Sequence, residues 1–255
     1  MLNDFLLKNG FALMLVFARM GATFMIFPGF SAAYVNVRVR LILALATTLM
    51  VEPSLIGHLP AMPASVAELA KLLAVEITIG VFIGTIAVFV LATLHLAGSS
   101  ISRDSGLVNT SIVDPITEQQ GSLVISLLSQ IALLVIFETN MHHLMIRAAL
   151  GSYDLFVPGK AFVAGDFATA LSDTLSRVFL IGLQLSSPFL VFNIVFQTSL
   201  GLINRLAPQA AVSQIGAPLQ ILLGLVMLWA GMPAIILWFV HYFQDVFVPL
   251  TVGQP

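Results

Sequence analysis

Long apolar stretches separated by short polar breaks set the rhythm of the chain, at residues 11–27, 39–57, 72–97, 123–150, 170–203 and 215–249. At about 20 residues per crossing of a hydrocarbon layer, each reads as a membrane-type helix. The expected fold is therefore all-α and polytopic, with about six long helices. The last two stretches are too long for one straight crossing. Pro188 lies inside one, and Pro218 and Pro233 inside the other. A proline has no amide hydrogen to give its helical turn, so both helices are expected to bend or break there. Such helices survive in a membrane when neighbours re-satisfy the freed carbonyls, which points to packing inside a larger protein mass.

Polar residues within these stretches recur at helical spacing. Asn193, Gln197, Gly201 and Arg205 lie four apart and form one ridge on a helix that is otherwise Phe, Leu, Ile and Val. An arginine near mid-span costs roughly 2.5 to 3.5 kcal/mol, so Arg205 is expected at an interface or against protein partners. Pro208 then stops or turns the chain, next to Gln209. Glu76, Gly80 and Gly84 repeat the spacing, with a small-residue groove beneath an acid. The groove reads first as packing within the chain. Glu76 needs a donor or a water-filled cavity. In the fourth stretch Glu138–His142 and His143–Arg147 are both four apart, which suggests structural hydrogen bonding. Metal binding does not fit, because adjacent histidines on a helix point about 100° apart and no HExxH or cysteine completes a ligand set. Asp173 and Arg177 form a further pair, read as an exposed salt bridge. Trp229, Trp238, Tyr242 and His241 fit an interfacial belt or ordinary core packing equally.

The most polar segment is 98–120. Gly98 is expected to end the third helix. Either Asp114 with Pro115 or Thr117 with Gln120 opens the fourth. Residues 106–113 show no clean period and are expected to form a loop with several accessible conformations. In the later connection at 151–166, Asp166 can cap the following helix.

Composition sharpens this picture. The chain is 59% hydrophobic and 9% charged, against about 25% charged in ordinary soluble domains, so it belongs to a membrane or a membrane-derived assembly. A net charge of -2 offers no basic field for nucleic acid. Without cysteine there are no disulfides and no thiol chemistry. At the start, Asp4 precedes Lys8 and Arg19 interrupts the apolar run, so the first helix is expected to be retained rather than cleaved as a signal peptide. With six spans, Arg38, Arg40, Arg103 and Arg205 fall in odd connections, while Lys71 and Lys160 fall in the second and fourth. The positive-inside rule then puts the odd connections in the cytoplasm. No Walker loop, dinucleotide fingerprint or nucleophile elbow is present, so no enzyme, cofactor, metal or catalytic residue is expected. A small secondary transporter would suit the intramembrane charges and interrupted helices, but no internal repeat relates the halves. A channel-forming subunit accounts for the ridge, the groove, the interrupted helices and the polar loop together.

Specific residues then carry a resemblance. Gly201-Leu-Ile-Asn-Arg-Leu-Ala-Pro-Gln209, followed by Gly216-Ala-Pro218 and Gly224-Leu225, resembles the signature of the FliR/SpaR family of type III secretion export-gate proteins. Arg19 with Pro28, Arg38 and Arg40, Glu76 with Gly80 and Gly84, Asp114-Pro115, Asn140 with His142, and Ser186 with Pro188 follow the family in order. The chain departs from the family pattern at Met141 and at residues 210–213. The resemblance implies a channel-forming subunit of the flagellar export gate, which passes unfolded flagellar proteins across the bacterial inner membrane at the flagellar basal body. It implies that Gly106, Leu107, Val108, Asn109, Thr110, Ser111, Ile112, Val113 and Asp114 form a plug. Its implied partners are FliP and FliQ, with FlhB around them. It also implies that 1–165 comprises four helices and the plug and resembles the larger partner, while 166–255 is a hairpin resembling the smaller one. Arg19, Glu76, Glu138, His142, Asn193, Gln197, Arg205 and Gln209 are expected as buried or inter-subunit polar groups, with Gly80, Gly84 and Gly201 as helix-packing positions. The injectisome form of the same gate and the transporter remain alternatives.

Overall fold

The helical elements follow the apolar stretches closely. In the computed structural model, residues 2–251 are described except 33–34, 56, 58, 108–110, 114–119, 161–163 and 207–211. Among them are α1 (Leu2–Ile26), α2 (Val37–Leu55), α3 (Val66–Asp104), β1 (Ser111–Val113), β2 (Gln120–Ser122), α4 (Leu123–Glu138), α5 (Met141–Leu155), α6 (Ala164–Leu206) and α7 (Val212–Thr251). Helices α1, α3, α6 and α7 are long and apolar enough to cross a membrane, and α4 with α5 adds a bent fifth candidate. The chain is an all-α, polytopic integral membrane protein.

Helix α2 does not extend the count to six spans. Arg38 and Arg40 occupy its first turn and Glu52 lies near its end, leaving an uncharged run from Leu41 to Val51. At 1.5 Å per residue that run is about 16 Å long, roughly half a hydrocarbon core. The assignment of odd connections to one side of the membrane loses its basis with this count.

The fourth apolar stretch also divides. Asn140 adopts the left-handed conformation (φ 58°) between α4 and α5, and the two helices meet at a 76° bend. Asparagine tolerates that backbone better than most residues. Glu138 and His142 therefore sit on opposite sides of a corner and are not one turn apart on a single helix.

Of the bend or break expected at the prolines, the break does not occur. Helix α6 continues through Pro188, and α7 through Pro218 and Pro233, without a break. At Pro188 the compensation is local: Ser187 Oγ donates to the Gln184 carbonyl at 2.8 Å, replacing the missing amide.

Gly98 does not end α3, which runs six residues further to Asp104. That glycine serves close packing, since a Cβ on it would lie 3.1 Å from the Ile125 Cα in α4.

By internal contacts the chain forms two compact units. The first comprises Met1–Phe89, Ile136–Thr174 and Phe243–Pro255, and the second Val90–Val135 and Leu175–Tyr242. In the first, Leu15, Val16, Met20, Phe27, Met145, Phe243 and Phe247 are fully buried; in the second, Ile101, Val124, Leu128 and Phe239 are. Large apolar side chains of α6 and α7, among them Val191, Ile194, Val195, Leu202, Leu222 and Trp229, remain exposed.

Candidate functional site

Two buried polar clusters, one in each compact unit, hold most of the charged and amide groups that the apolar helices carry inward.

In the first unit, α1 approaches α3 over its small-residue groove. A side chain at Gly80 would collide with the Arg19 carbonyl and the Ala22 Cβ, and one at Gly84 would lie 2.6 Å from the Ile26 Cβ. Thr23 ties the crossing by donating to the carbonyl of Arg19 at 2.9 Å and of Gly80 at 3.3 Å. This approach lets Arg19 reach Glu76, one turn before Gly80, with Nε to Oε2 at 2.6 Å. The two side chains are 0% and 2% exposed, so no water competes for the pair. Three further guanidinium bonds go to the end of α5 and its C-cap: Nη1 donates to the Ser152 carbonyl (3.1 Å) and Oγ (3.2 Å), and Nη2 to the Phe156 carbonyl (2.9 Å). Those carbonyls close the C-terminal end of α5, where a cation is favoured. The guanidinium carbon also stands 4.0 Å from the centre of the Tyr153 ring. One arginine thus fastens α1, α3 and α5.

In the second unit the cluster lies at the foot of the central loop. Helix α3 ends in a Schellman arrangement: Leu107 N–H donates to the Ser102 carbonyl at 2.8 Å and Gly106 N–H to the Arg103 carbonyl at 3.2 Å. Gly106 has φ +74°, the left-handed conformation that this cap requires. The Ile101 carbonyl accepts from the Ser105 amide and hydroxyl. The Asp104 carbonyl accepts from Gln220 Nε2 of α7 at 2.9 Å. All four terminal carbonyls of α3 are satisfied, the last by a side chain 116 residues away. Gln220 Nε2 also lies 3.3 Å from Asn193 Oδ1, and Gln220 Oε1 accepts from Gln197 Nε2 at 3.2 Å. Asn193 Nδ2 donates to the Asp104 carboxylate at 3.1 Å.

The far end of the loop returns to the same place. Ser122 precedes α4, accepts the Val124 N–H at 3.2 Å as its cap, and donates to Ser102 Oγ at 2.6 Å. Next to it β1 and β2 pair antiparallel, with Ser111 opposite Ser122 and Val113 opposite Gln120. The expected conformationally free loop therefore has a fastened neck, and the fourth helix starts at Ser122 instead of at Asp114 or Thr117.

Arg19 with Glu76, and Asn193 with Gln197, are brought together as polar groups. Gly80 and Gly84 meet α1. Gly201 has open space around its Cα, and Arg205 is exposed with no hydrogen bond or ion pair among the described residues. Glu138 is exposed beside the α4–α5 corner. His142 stacks on Phe137 and His143, with ring centres at 5.0 and 4.1 Å. Of the plug residues, Gly106 and Leu107 belong to the helix cap and 111–113 to β1, whereas Val108, Asn109, Thr110 and Asp114 lie outside the described residues, as does Gln209. Sequence reasoning missed Ser152, Tyr153, Asp104 and Gln220. For Gln220 a signal existed: Gln220 and Gly224 repeat the four-residue spacing of Asn193 and Gln197.

Comparison with known proteins places these residues in a wider set. The family described as bacterial export proteins, family 1, matches residues 11–246. The chain is 32% identical over 214 residues to the flagellar biosynthetic protein FliR of Caulobacter vibrioides, covering 84% of this chain and 85% of that relative. It is 31% identical over 222 residues to the flagellar biosynthetic protein FliR of Escherichia coli, covering 86% and 84%. The protein of the same name from Aquifex aeolicus is 24% identical across 92% of this chain and 90% of its own. The likeness thus extends over nearly all the helices and is not confined to one motif.

Proposed function

The chain belongs to the bacterial export proteins, family 1, and from that membership we propose that it is a channel-forming subunit of the flagellar protein-export gate. In this reading the loop at 106–114 closes a passage for unfolded flagellar proteins. The observation that carries it is the neck: a loop whose two ends are bonded to each other through Ser102 and Ser122, and whose root is held by Gln220 and Asn193, is suited to swing as a unit. A plain connector would need neither bond.

The exposed faces of α6 and α7 support assembly, because contiguous apolar surface on this scale calls for lipid or protein cover. FliP, FliQ and FlhB are the proposed partners, in the inner membrane at the flagellar basal body. Residues 1–165 would act as the portion resembling the larger partner, and 166–255 as the hairpin resembling the smaller. Native mass measurement after co-expression with these partners tests the assembly. A heteromeric particle is expected, and a monomer or homodimer would favour the transporter reading instead.

Arg205 is proposed to serve such a contact. Because it makes no bond among the described residues, Arg205→Ala is expected to leave the amount of chain in the membrane unchanged. The same substitution is expected to lower recovery of the assembled particle several-fold, since partner acceptors lose a charged donor. Quantifying both fractions by immunoblot checks this, and full assembly would remove Arg205 from the interface.

A further inference from the structure

We propose that the pocket at the start of α3 is a binding site for the headgroup of an anionic phospholipid. This site is separate from the loop and its neck and does not depend on the export reading. The pocket has a volume of about 750 Å³ and is lined by Ala61, Pro63, Leu72 and Val75 together with Glu68, Lys71 and Lys160. The chain has three lysines, and two of them converge here from positions far apart in the sequence.

Local structure fixes both. Ser65 accepts the Ala67 N–H at 3.2 Å and starts α3, which sets Lys71 in the second turn, directly before the apolar stretch beginning at Leu72. Val157-Pro158-Gly159-Lys160 forms a tight turn closed by the Lys160 N–H to the Val157 carbonyl at 3.2 Å. Proline at its second position and Gly159 at φ +81° at its third are the residues a type II turn selects. A Cβ at Gly159 would lie 2.9 Å from Pro60, so the turn is seated against the segment that precedes α3. Lys160 is thereby held in the lining of the same pocket as Lys71.

Three features select the ligand. Both ammonium groups are exposed and have no ion pair or hydrogen bond among the described residues, Glu68 included. Lys71 lies directly before the apolar stretch of α3, a helix long and apolar enough to cross a membrane, which is the flanking position where lysines meet the interface. The remaining wall is aliphatic, suited to the glycerol and first methylenes of an acyl chain. A free phosphate would use the lysines but leave this wall uncovered.

The test titrates the full-length protein, purified in mild detergent, with dioleoylphosphatidylglycerol, dioleoylphosphatidylcholine or inorganic phosphate, and follows the apparent Tm. Only phosphatidylglycerol is expected to raise it saturably. Each lysine near an anionic headgroup contributes roughly fivefold in affinity, so K71Q/K160Q is expected to weaken the effect on the order of twentyfold. Lys→Arg at both positions retains it. Glu68→Gln, which removes the acid from the rim without touching either lysine, is expected to tighten binding. Equal stabilisation by phosphatidylcholine, or an unchanged response in K71Q/K160Q, overturns the site. Stabilisation by phosphate alone with the same lysine dependence overturns the lipid as ligand and assigns the pocket to a free anion. A Glu68→Gln response no tighter than wild type counts against the electrostatic basis.

Discussion

Arg19→Leu is expected to lower accumulation of the folded protein severely. It leaves the Glu76 carboxylate buried without its only charged partner among the described residues, and breaking one side of a buried pair costs about 3 to 5 kcal/mol. It also removes the donor to the Ser152 and Phe156 carbonyls, which loosens α5 from α1. Against a typical total stability of about 5 to 15 kcal/mol, a loss of this size removes much of the margin. Glu76→Gln is expected to be milder, because the amide oxygen can still accept from Arg19 Nε and the guanidinium keeps its α5 carbonyls and the Tyr153 ring. The joint variant Arg19→Met with Glu76→Leu removes both charges and is expected to recover part of the yield, since well-packed apolar replacements of buried pairs are often tolerated. Membrane-fraction yield and the Tm of purified material check the order. A joint variant no better than Arg19→Leu would show that the bonds to α5, more than the unpaired acid, set the cost.

The second large effect is expected at the neck. Gln220→Leu keeps the approximate volume but strips the Asp104 carbonyl, Asn193 Oδ1 and Gln197 Nε2 of a partner. Unsatisfied buried groups cost about 1 to 3 kcal/mol each, although Gln197 lies near enough to the surface to find water. The Schellman cap and the Asp104–Asn193 bond remain, so the protein should still fold. The loop root is weakened, and the assembled gate is expected to leak ions several-fold more than wild type at equal expression. Measurement of proton or potassium flux in cells carrying the complete gate checks this. An unchanged flux would separate Gln220 from the loop.

The helices were legible because their apolar runs are long and nothing else satisfies a backbone in hydrocarbon. Their joints were less so. Gly98 and Gly106 both lie where an apolar helix turns polar, and only coordinates reveal that one packs against Ile125 while the other takes φ +74°. Asn140 looked like one polar residue among several, because an asparagine that turns left-handed carries no mark in sequence. Pro188 was a reasonable break signal, overridden by the adjacent Ser187 hydroxyl. Glu76 announced that it needed a donor, and the spacing of Gly80 and Gly84 marked where a helix could come close. Which helix came, and that Arg19 came with it, depends on contacts 57 residues apart that no local pattern encodes. The Gln220 to Asp104 bond is longer-range still.

The most direct test of the plug is the conductance of the purified gate in planar bilayers, comparing the intact assembly with one in which residues 108–119 are replaced by a short Gly-Ser linker. That replacement spares Gly106, Leu107 and the Ser102–Ser122 bond, and removes the loop together with β1 and its pairing to β2. The intact gate should stay closed, and the linker variant should conduct persistently. Two assemblies of equal composition that are equally silent would contradict the loop's role as the closure.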